Sequence, residues 1–163
     1  MSTTHEANQE AIEKVRDLIK GIDVAMLTTI NDQGLVSRPM STQEVEFDGD
    51  LWFITKKDKS VYQELLQNSK VNVAYADKSY VSIRGEAELV EDRTKVEEFW
   101  NRSYEMFFDT TSDDPSLVLI KIKAETAEYW EAGNKTKMVK NLLRKITGKD
   151  SDDMDLNKTV ELG

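Results

Sequence analysis

The chain has 163 residues and a formal net charge of −9, with 31 acidic against 22 basic side chains. This length fits a single domain with a substantial core, and the acidic balance argues against binding to nucleic acid or to anionic membrane surfaces. There is no cysteine, and the one histidine is His5, so cysteine-based metal sites and histidine-based catalytic triads are excluded. With no apolar run of membrane-spanning length and no apolar signal core, we expect a cytoplasmic protein.

The first part of the chain predicts a helix followed by a β-hairpin. Apolar residues at helical spacing indicate an amphipathic helix over residues 4–20, ended by Gly21. Runs of β-forming residues predict strands at Val24–Ile30 and Leu35–Thr42. The turn residues Asn31–Gly34 between them indicate antiparallel pairing.

The second hairpin strand carries an arginine on an otherwise apolar face. Period-two alternation puts Arg38 on the same face as Met40. Pro39 cannot donate a ladder hydrogen bond, so this strand lies at a sheet edge or contains a bulge. Arg38 then needs an anionic ligand or a carboxylate partner. The alternative is an exposed edge strand on which Arg38 pairs with an acidic neighbour.

The stretch Leu51–Leu66 predicts a strand, a group of lysines and a helix near residues 59–68. We expect Asp58 to cap this helix. A helix N-terminus, the lysines and the hydroxyl of Ser60 together form a plausible phosphate site. The alternative is a capped surface helix with solvated lysines.

Arg38 and Met40 on a neighbouring strand favour the phosphate interpretation of this stretch. We place the ligand at Lys59 and Ser60, and we interpret Lys56 and Lys57 as solvated.

The remaining elements suggest a small meandering or Greek-key barrel with helices packed outside it. We expect strands at Lys70–Ala76, Tyr80–Val90, Leu117–Lys123 and Thr126–Glu131, with a bulge at Gly85 and a break at Glu125. We expect helices at Asp92–Tyr104 and Lys135–Ile146, and a loose polar tail after them. Trp130 can stack on a flat heterocycle or serve in packing.

These elements include the segments AMLTT, VSRPMST, DGDLWFIT, YVSIRGEAELVED, DDPSLVLIKI and AEYWE in this order. The series closely resembles the general stress protein branch of the pyridoxamine 5′-phosphate oxidase-like FMN-binding split barrels. The resemblance spans roughly residues 5 to 146. It implies a mainly β, six-stranded, Greek-key-like split barrel with flanking helices over residues 1–147, followed by an acidic tail over residues 148–163.

The resemblance also implies a homodimer with FMN in clefts at the dimer interface. Arg38 would reach the FMN phosphate, and Pro39 and Met40 would run beside the flavin. The other implied cofactor-binding residues are Thr55, Lys59, Ser60, Tyr80, Ser82 and Trp130, with Trp130 approaching from the second subunit.

Two departures separate this chain from true pyridoxamine phosphate oxidases. That enzyme class carries an arginine and histidine pair near the C-terminus, whereas the histidine here is His5. The loop after Thr55 reads KKDKS in place of a serine–arginine–lysine cluster. We therefore expect an FMN-dependent oxidoreductase with a stress-related role, reduced transiently by a nicotinamide. The alternatives are a flavin-binding module without turnover and an interaction module on the same barrel.

Overall fold

The protein is built around one antiparallel sheet, seen in a computed structural model that describes residues 2–43, 47–131 and 158–162. The strands are β1 (Val24–Asn31), β2 (Gly34–Ser41), β3 (Asp50–Lys56), β4 (Lys70–Ala76), β5 (Tyr80–Val90), β6 (Leu117–Trp130) and β7 (Lys158–Glu161). The helices are α1 (Ser2–Ile19), α2 (Ser60–Gln67), α3 (Arg93–Phe99) and α4 (Arg102–Phe108). None of these four helices is both long and apolar enough to cross a bilayer.

The sheet is rolled into a split barrel. Its strand order is β2-β1-β4-β5-β6-β3, and β7 pairs with β6 off this path. The two outer strands, β2 and β3, approach within 8 Å between Cα atoms without forming a ladder. The predicted six-stranded split barrel is confirmed, and β7 is a short additional strand.

The hairpin of β1 and β2 forms as predicted, with Met26 opposite Pro39. In the described sheet β2 pairs with β1 alone, so Pro39 lies in an edge strand where its missing N–H costs no ladder bond. Gly34 adopts a positive φ of 114° at the turn, a conformation that glycine reaches without steric cost.

The main core fills the barrel. Its fully buried side chains include Leu27, Phe53, Val73, Ile83 and Ile122. Val15 of α1 and both Val61 and Leu65 of α2 belong to the same cluster. A second cluster packs α3 and α4 against the opposite faces of β3 and β6.

β6 is continuous from Leu117 to Trp130, so the predicted break at Glu125 is wrong. Glu125 is instead an extra residue in the β5–β6 ladder, because Arg84 pairs with Thr126 and Gly85 with Ala124. The predicted irregularity at Gly85 is thereby confirmed. A Cβ on Gly85 would lie 2.2 Å from the Lys123 carbonyl oxygen, so only glycine fits this position.

The expected helix from Asp92 to Tyr104 is two helices, α3 and α4. Trp100 and Asn101 adopt extended backbone conformations between them. The Asn101 side chain accepts a hydrogen bond from the Ser103 N–H at 2.9 Å and so caps a new helix. α4 also extends to Phe108, beyond Tyr104, where the single helix was expected to end.

Residues 158–162 pair with the sheet, contrary to the expectation of a loose tail there, and the rest of the expected tail lies outside the described residues. β7 pairs with β6, and the Leu162 N–H donates to the Glu125 carbonyl at 2.7 Å. Leu162 is buried in the main core. The helix expected at Lys135–Ile146 lies outside the described residues.

We expect Gly85→Ala to destabilise the fold by at least about 2 kcal/mol, because the clashing atom belongs to the backbone of β6. Urea unfolding measures this change. Glu86→Ala, an exposed neighbour in β5, is the control and should stay within about 0.5 kcal/mol of the unmodified protein. Equal unfolding midpoints for Gly85→Ala and Glu86→Ala would contradict this account of the bulge.

Candidate functional site

Arg38 lies on the inner face of β2 and is held by a partly buried salt bridge. Its Nη2 donates to Glu64 Oε2 at 2.8 Å and to Thr29 Oγ1 at 2.8 Å. Its Nη1 donates to the Leu27 carbonyl at 3.2 Å. The side chains of Arg38 and Glu64 are 19% and 11% exposed, and Thr29 is fully buried. Arg38 therefore has a carboxylate partner, one of the two possibilities that the sequence left open.

Glu64 reaches this position because α2 covers the barrel beside β1. Val61 and Leu65 of α2 are buried, and Glu64 lies between them on the face toward the sheet. The Thr29 hydroxyl also donates to Glu64, so it bridges the carboxylate and the guanidinium. The edge strand β2, the neighbouring strand β1 and the helix α2 thus meet at a neutral, hydrogen-bonded cluster.

The lysines between β3 and α2 differ in their partners. Lys56 lies 3.5 Å from Asp114 and 3.8 Å from Asp58, and Lys57 pairs with Glu91. Hydrogen bonds from Ser116 and Thr110 hold the pKa of Asp114 well below its usual range, so this carboxylate stays charged beside Lys56. The expectation that Lys56 and Lys57 would be solvated is thus modified by these ion pairs.

Lys59 differs from both, because its ammonium group has no carboxylate partner in the described part of the chain. Lys59 is the N-cap residue of α2, and its side chain makes no capping hydrogen bond. The predicted cap by Asp58 is wrong, since Asp58 instead lies near Lys56. The first turn of α2 consequently keeps its positive dipole end beside Lys59 and Ser60, both of which are exposed. The Tyr62 N–H donates to the Lys59 carbonyl at 3.1 Å, whereas the two N–H groups before it in the helix have no hydrogen-bond partner among the described residues.

Thr55 and Met40 lie closer to the barrel interior. Thr55 is buried and shares the β3 face of Leu51 and Phe53, both of which belong to the main core. Met40 is part of the same core. Thr55 is therefore near the start of α2 along the chain, while Met40 contributes to packing beneath β2.

The other predicted site residues share the outer face of the sheet. Met26 of β1 pairs with both Pro39 and Ala74, and Ala74 pairs with Ser82. Tyr80 pairs with Trp130 in the adjacent row. The Ser82 hydroxyl accepts a hydrogen bond from the Asn72 amide at 2.9 Å. This outer face therefore carries aromatic and apolar side chains together with hydroxyl groups.

The nine predicted residues thus form two groups. The phosphate-site group, at the inner face and around the start of α2, contains Arg38, Thr55, Lys59 and Ser60, with Met40 buried below. The outer-face group contains Pro39, Tyr80, Ser82 and Trp130. The outer-face group extends across the sheet, from Pro39 on the edge strand β2 to the residues of β5 and β6.

A separate cleft of about 830 Å³ lies between the C-terminal end of α1 and the ends of β1, β2 and β3. Its lining includes Arg16, Trp52 and Tyr75, and it contains none of the nine predicted residues. Burial raises the pKa of the Tyr75 hydroxyl on the cleft wall. The candidate site is therefore distinct from this cleft.

Comparison with known proteins agrees with the fold. The model of the family described as "Pyridoxamine 5'-phosphate oxidase like" matches residues 10–153. The chain belongs to this family. Within the family, General stress protein 26 of Bacillus subtilis is 27% identical over 139 residues, which cover 79% of this chain and 95% of that protein.

Two crystal structures of similar proteins support the same membership. That of General Stress Protein 26 from Bacillus anthracis is 28% identical, covers 74% of this chain and 93% of that chain, and has a TM-score of 0.66. That of the general stress FMN/FAD binding protein from Xanthomonas citri is 27% identical, covers 77% of this chain and 91% of that chain, and has a TM-score of 0.64.

Glu64 and Thr29 belong to the site but were not predicted from the sequence. Glu64 follows Ser60 by four residues and lies between two apolar positions, so its place on the buried face of α2 was readable from the sequence. Its pairing with Arg38 depends on how α2 docks against β1, which no local pattern specifies.

Proposed function

We propose that the chain is an FMN-binding flavoprotein that acts as an FMN-dependent oxidoreductase with a stress-related role, as a homodimer in the cytoplasm. The observation that carries this proposal is the N-terminus of α2, where Lys59 makes no side-chain cap and pairs with no carboxylate of the described residues, together with the hydroxyl of Ser60. Membership of the family supports it, as does the similarity to a protein described as FMN/FAD-binding.

The phosphate of FMN would bind at the first turn of α2. Backbone N–H groups and the helix dipole favour an anion there, and Lys59 adds a positive charge. Ser60 offers a hydroxyl donor. Thr55 offers a second hydroxyl near the end of β3, before the loop that leads to α2. Glu64 lies about one helical turn further along α2, and it holds Arg38 of β2 there.

The flavin ring would lie along the edge of β2 toward the outer face of the sheet. Pro39 borders this path, and Met40 supports it from the core. Tyr80 and Trp130 supply aromatic surface, and Ser82 supplies a hydroxyl. Since a phosphate site and a stacking surface are both required, the two groups described above would each hold one end of the cofactor.

The outer face is also where a second copy of the chain would bind. Val24, Met26 and Tyr80 are large apolar side chains that remain exposed there. Exposed apolar patches of this kind are typical of association surfaces. A homodimer through this face would cover the flavin ring, with Trp130 approaching from the second subunit.

The bound flavin would supply the hydride and electron transfer. The side chains of this chain would hold the phosphate, orient the ring and exclude water from it. The electron donor that we propose is a reduced nicotinamide that binds transiently over the flavin. Oxidation of a vitamin B6 phosphate is not proposed, because the histidine of this chain is His5 in the N-terminal helix.

The alternatives are a flavin-binding module without turnover and a stress-response interaction module. The first is favoured by the composition of the nine site residues, which include no histidine and no carboxylate that could act as a general base. Anaerobic addition of a reduced nicotinamide distinguishes the two. FMN bound to a module without turnover would stay oxidised, whereas FMN bound to the enzyme would be reduced.

Lys59→Ala should weaken FMN binding roughly fivefold, because an exposed charge pair contributes about 1 kcal/mol or less. Titration with FMN, followed by flavin fluorescence, measures the dissociation constant. Lys57→Ala, in the same loop but paired with Glu91, is the matched control and should leave the constant unchanged. If neither variant nor the unmodified protein binds FMN, the flavin proposal is wrong.

Met26→Lys should raise the dissociation constant of the dimer roughly a hundredfold, because symmetry places each new charge in the interface twice. Analytical ultracentrifugation measures the change. Met106→Lys on α4, where the side chain is 84% exposed, is the control and should leave the dimer intact. A monomeric unmodified protein, or equal dissociation of both variants, would contradict the proposed interface.

A further inference from the structure

The Arg38–Glu64 pair lies next to the proposed phosphate site, so the charges of these two side chains affect how strongly an anion binds there. Arg38 uses three N–H groups on Leu27, Thr29 and Glu64. A guanidinium has five such donors, so three-fifths of them are already occupied. The Glu64 carboxylate also cancels the charge of Arg38, so the cluster as a whole is neutral.

Glu64 and Ser60 share one face of α2. They are four residues apart, which places them about 6 Å apart along the helix axis. An anion at the first turn of α2 is therefore close to a carboxylate whose charge is neutralised by Arg38 alone. The affinity of this site for an anion depends on the balance between these two side chains.

We propose that Glu64 determines how strongly the site prefers a phosphorylated flavin over an unphosphorylated one. By holding Arg38, Glu64 withholds a full positive charge from the flavin phosphate, and the affinity for FMN stays moderate. Glu64 is thus a specificity-determining residue that acts through Arg38 and does not contact the ligand. This inference rests on the proposed FMN binding.

The burial of the cluster supports this role. Thr29 is fully buried, and the Arg38 and Glu64 side chains are largely shielded from water, so solvent screens their charges weakly. A change in the net charge of the cluster is consequently felt by a phosphate at the start of α2. Riboflavin lacks the phosphate and would not respond to this charge.

The test compares FMN and riboflavin binding in the unmodified protein and in Glu64→Gln. Glutamine keeps the shape of the side chain and an acceptor oxygen, but it leaves Arg38 with its full charge. FMN should bind roughly tenfold more tightly to Glu64→Gln, while riboflavin binding should change by less than about twofold. Glu97→Gln on the exposed face of α3 makes the same change in net charge and should alter neither affinity.

A second variant keeps the inference testable if Glu64→Gln does not fold. The double variant Arg38→Gln/Glu64→Gln restores a neutral cluster of similar size and leaves no uncompensated charge in it. It should bind FMN about tenfold more tightly than Arg38→Gln alone, in which Glu64 keeps its negative charge beside the phosphate site, while the two variants should bind riboflavin equally. Equal FMN affinity of these two variants would show that the charge of Glu64 does not affect the phosphate and would overturn the inference.

Unchanged or weaker FMN binding by a folded Glu64→Gln variant would also overturn the inference. An equal change in FMN and riboflavin affinity would assign Glu64 a structural role alone. If the unmodified protein binds neither flavin, the proposed function fails, and this result is distinguishable because it does not depend on Glu64.

Discussion

The salt bridge between Arg38 and Glu64 connects the parts of the molecule that form the candidate site. Arg38 belongs to the edge strand β2, Thr29 to the neighbouring strand β1, and Glu64 to the helix that follows β3. This cluster therefore links β1 and β2 to α2, while β2 and β3 themselves form no ladder in the described sheet. Loss of one partner would leave a buried, uncompensated charge, which is strongly destabilising. The geometry of the site therefore depends on this pair.

Most of the fold could be predicted from the sequence, because its strands alternate cleanly and are separated by strong turn signals. Val24–Asn31 and Gly34–Ser41 are joined by a turn that ends in glycine, and the edge position of Pro39 follows from its missing N–H. Gly85 was recognisable as a bulge because glycine interrupts an otherwise β-forming run. The predictions failed where local signals competed. Asn101 caps a second helix inside an apolar helical pattern, and Lys59 rather than Asp58 is the N-cap of α2.

The candidate site could be predicted only in part, for a related physical reason. Strand alternation correctly placed Arg38 on an inner face and required a partner for its charge. It could not identify Glu64 as that partner, since the docking of α2 on the barrel is a tertiary contact between residues 26 positions apart. The pairing of Lys158–Glu161 with β6 was missed for the same reason, because a short polar strand has no local signature.

The central claim is that this barrel holds a flavin between the start of α2 and the outer face of the sheet. The visible absorption spectrum of the purified protein, recorded as isolated and again after incubation with FMN and removal of free ligand by gel filtration, tests it most directly. The account predicts the absorption band of a protein-bound flavin in at least the second spectrum. A protein that emerges without any flavin absorbance after this treatment would contradict it.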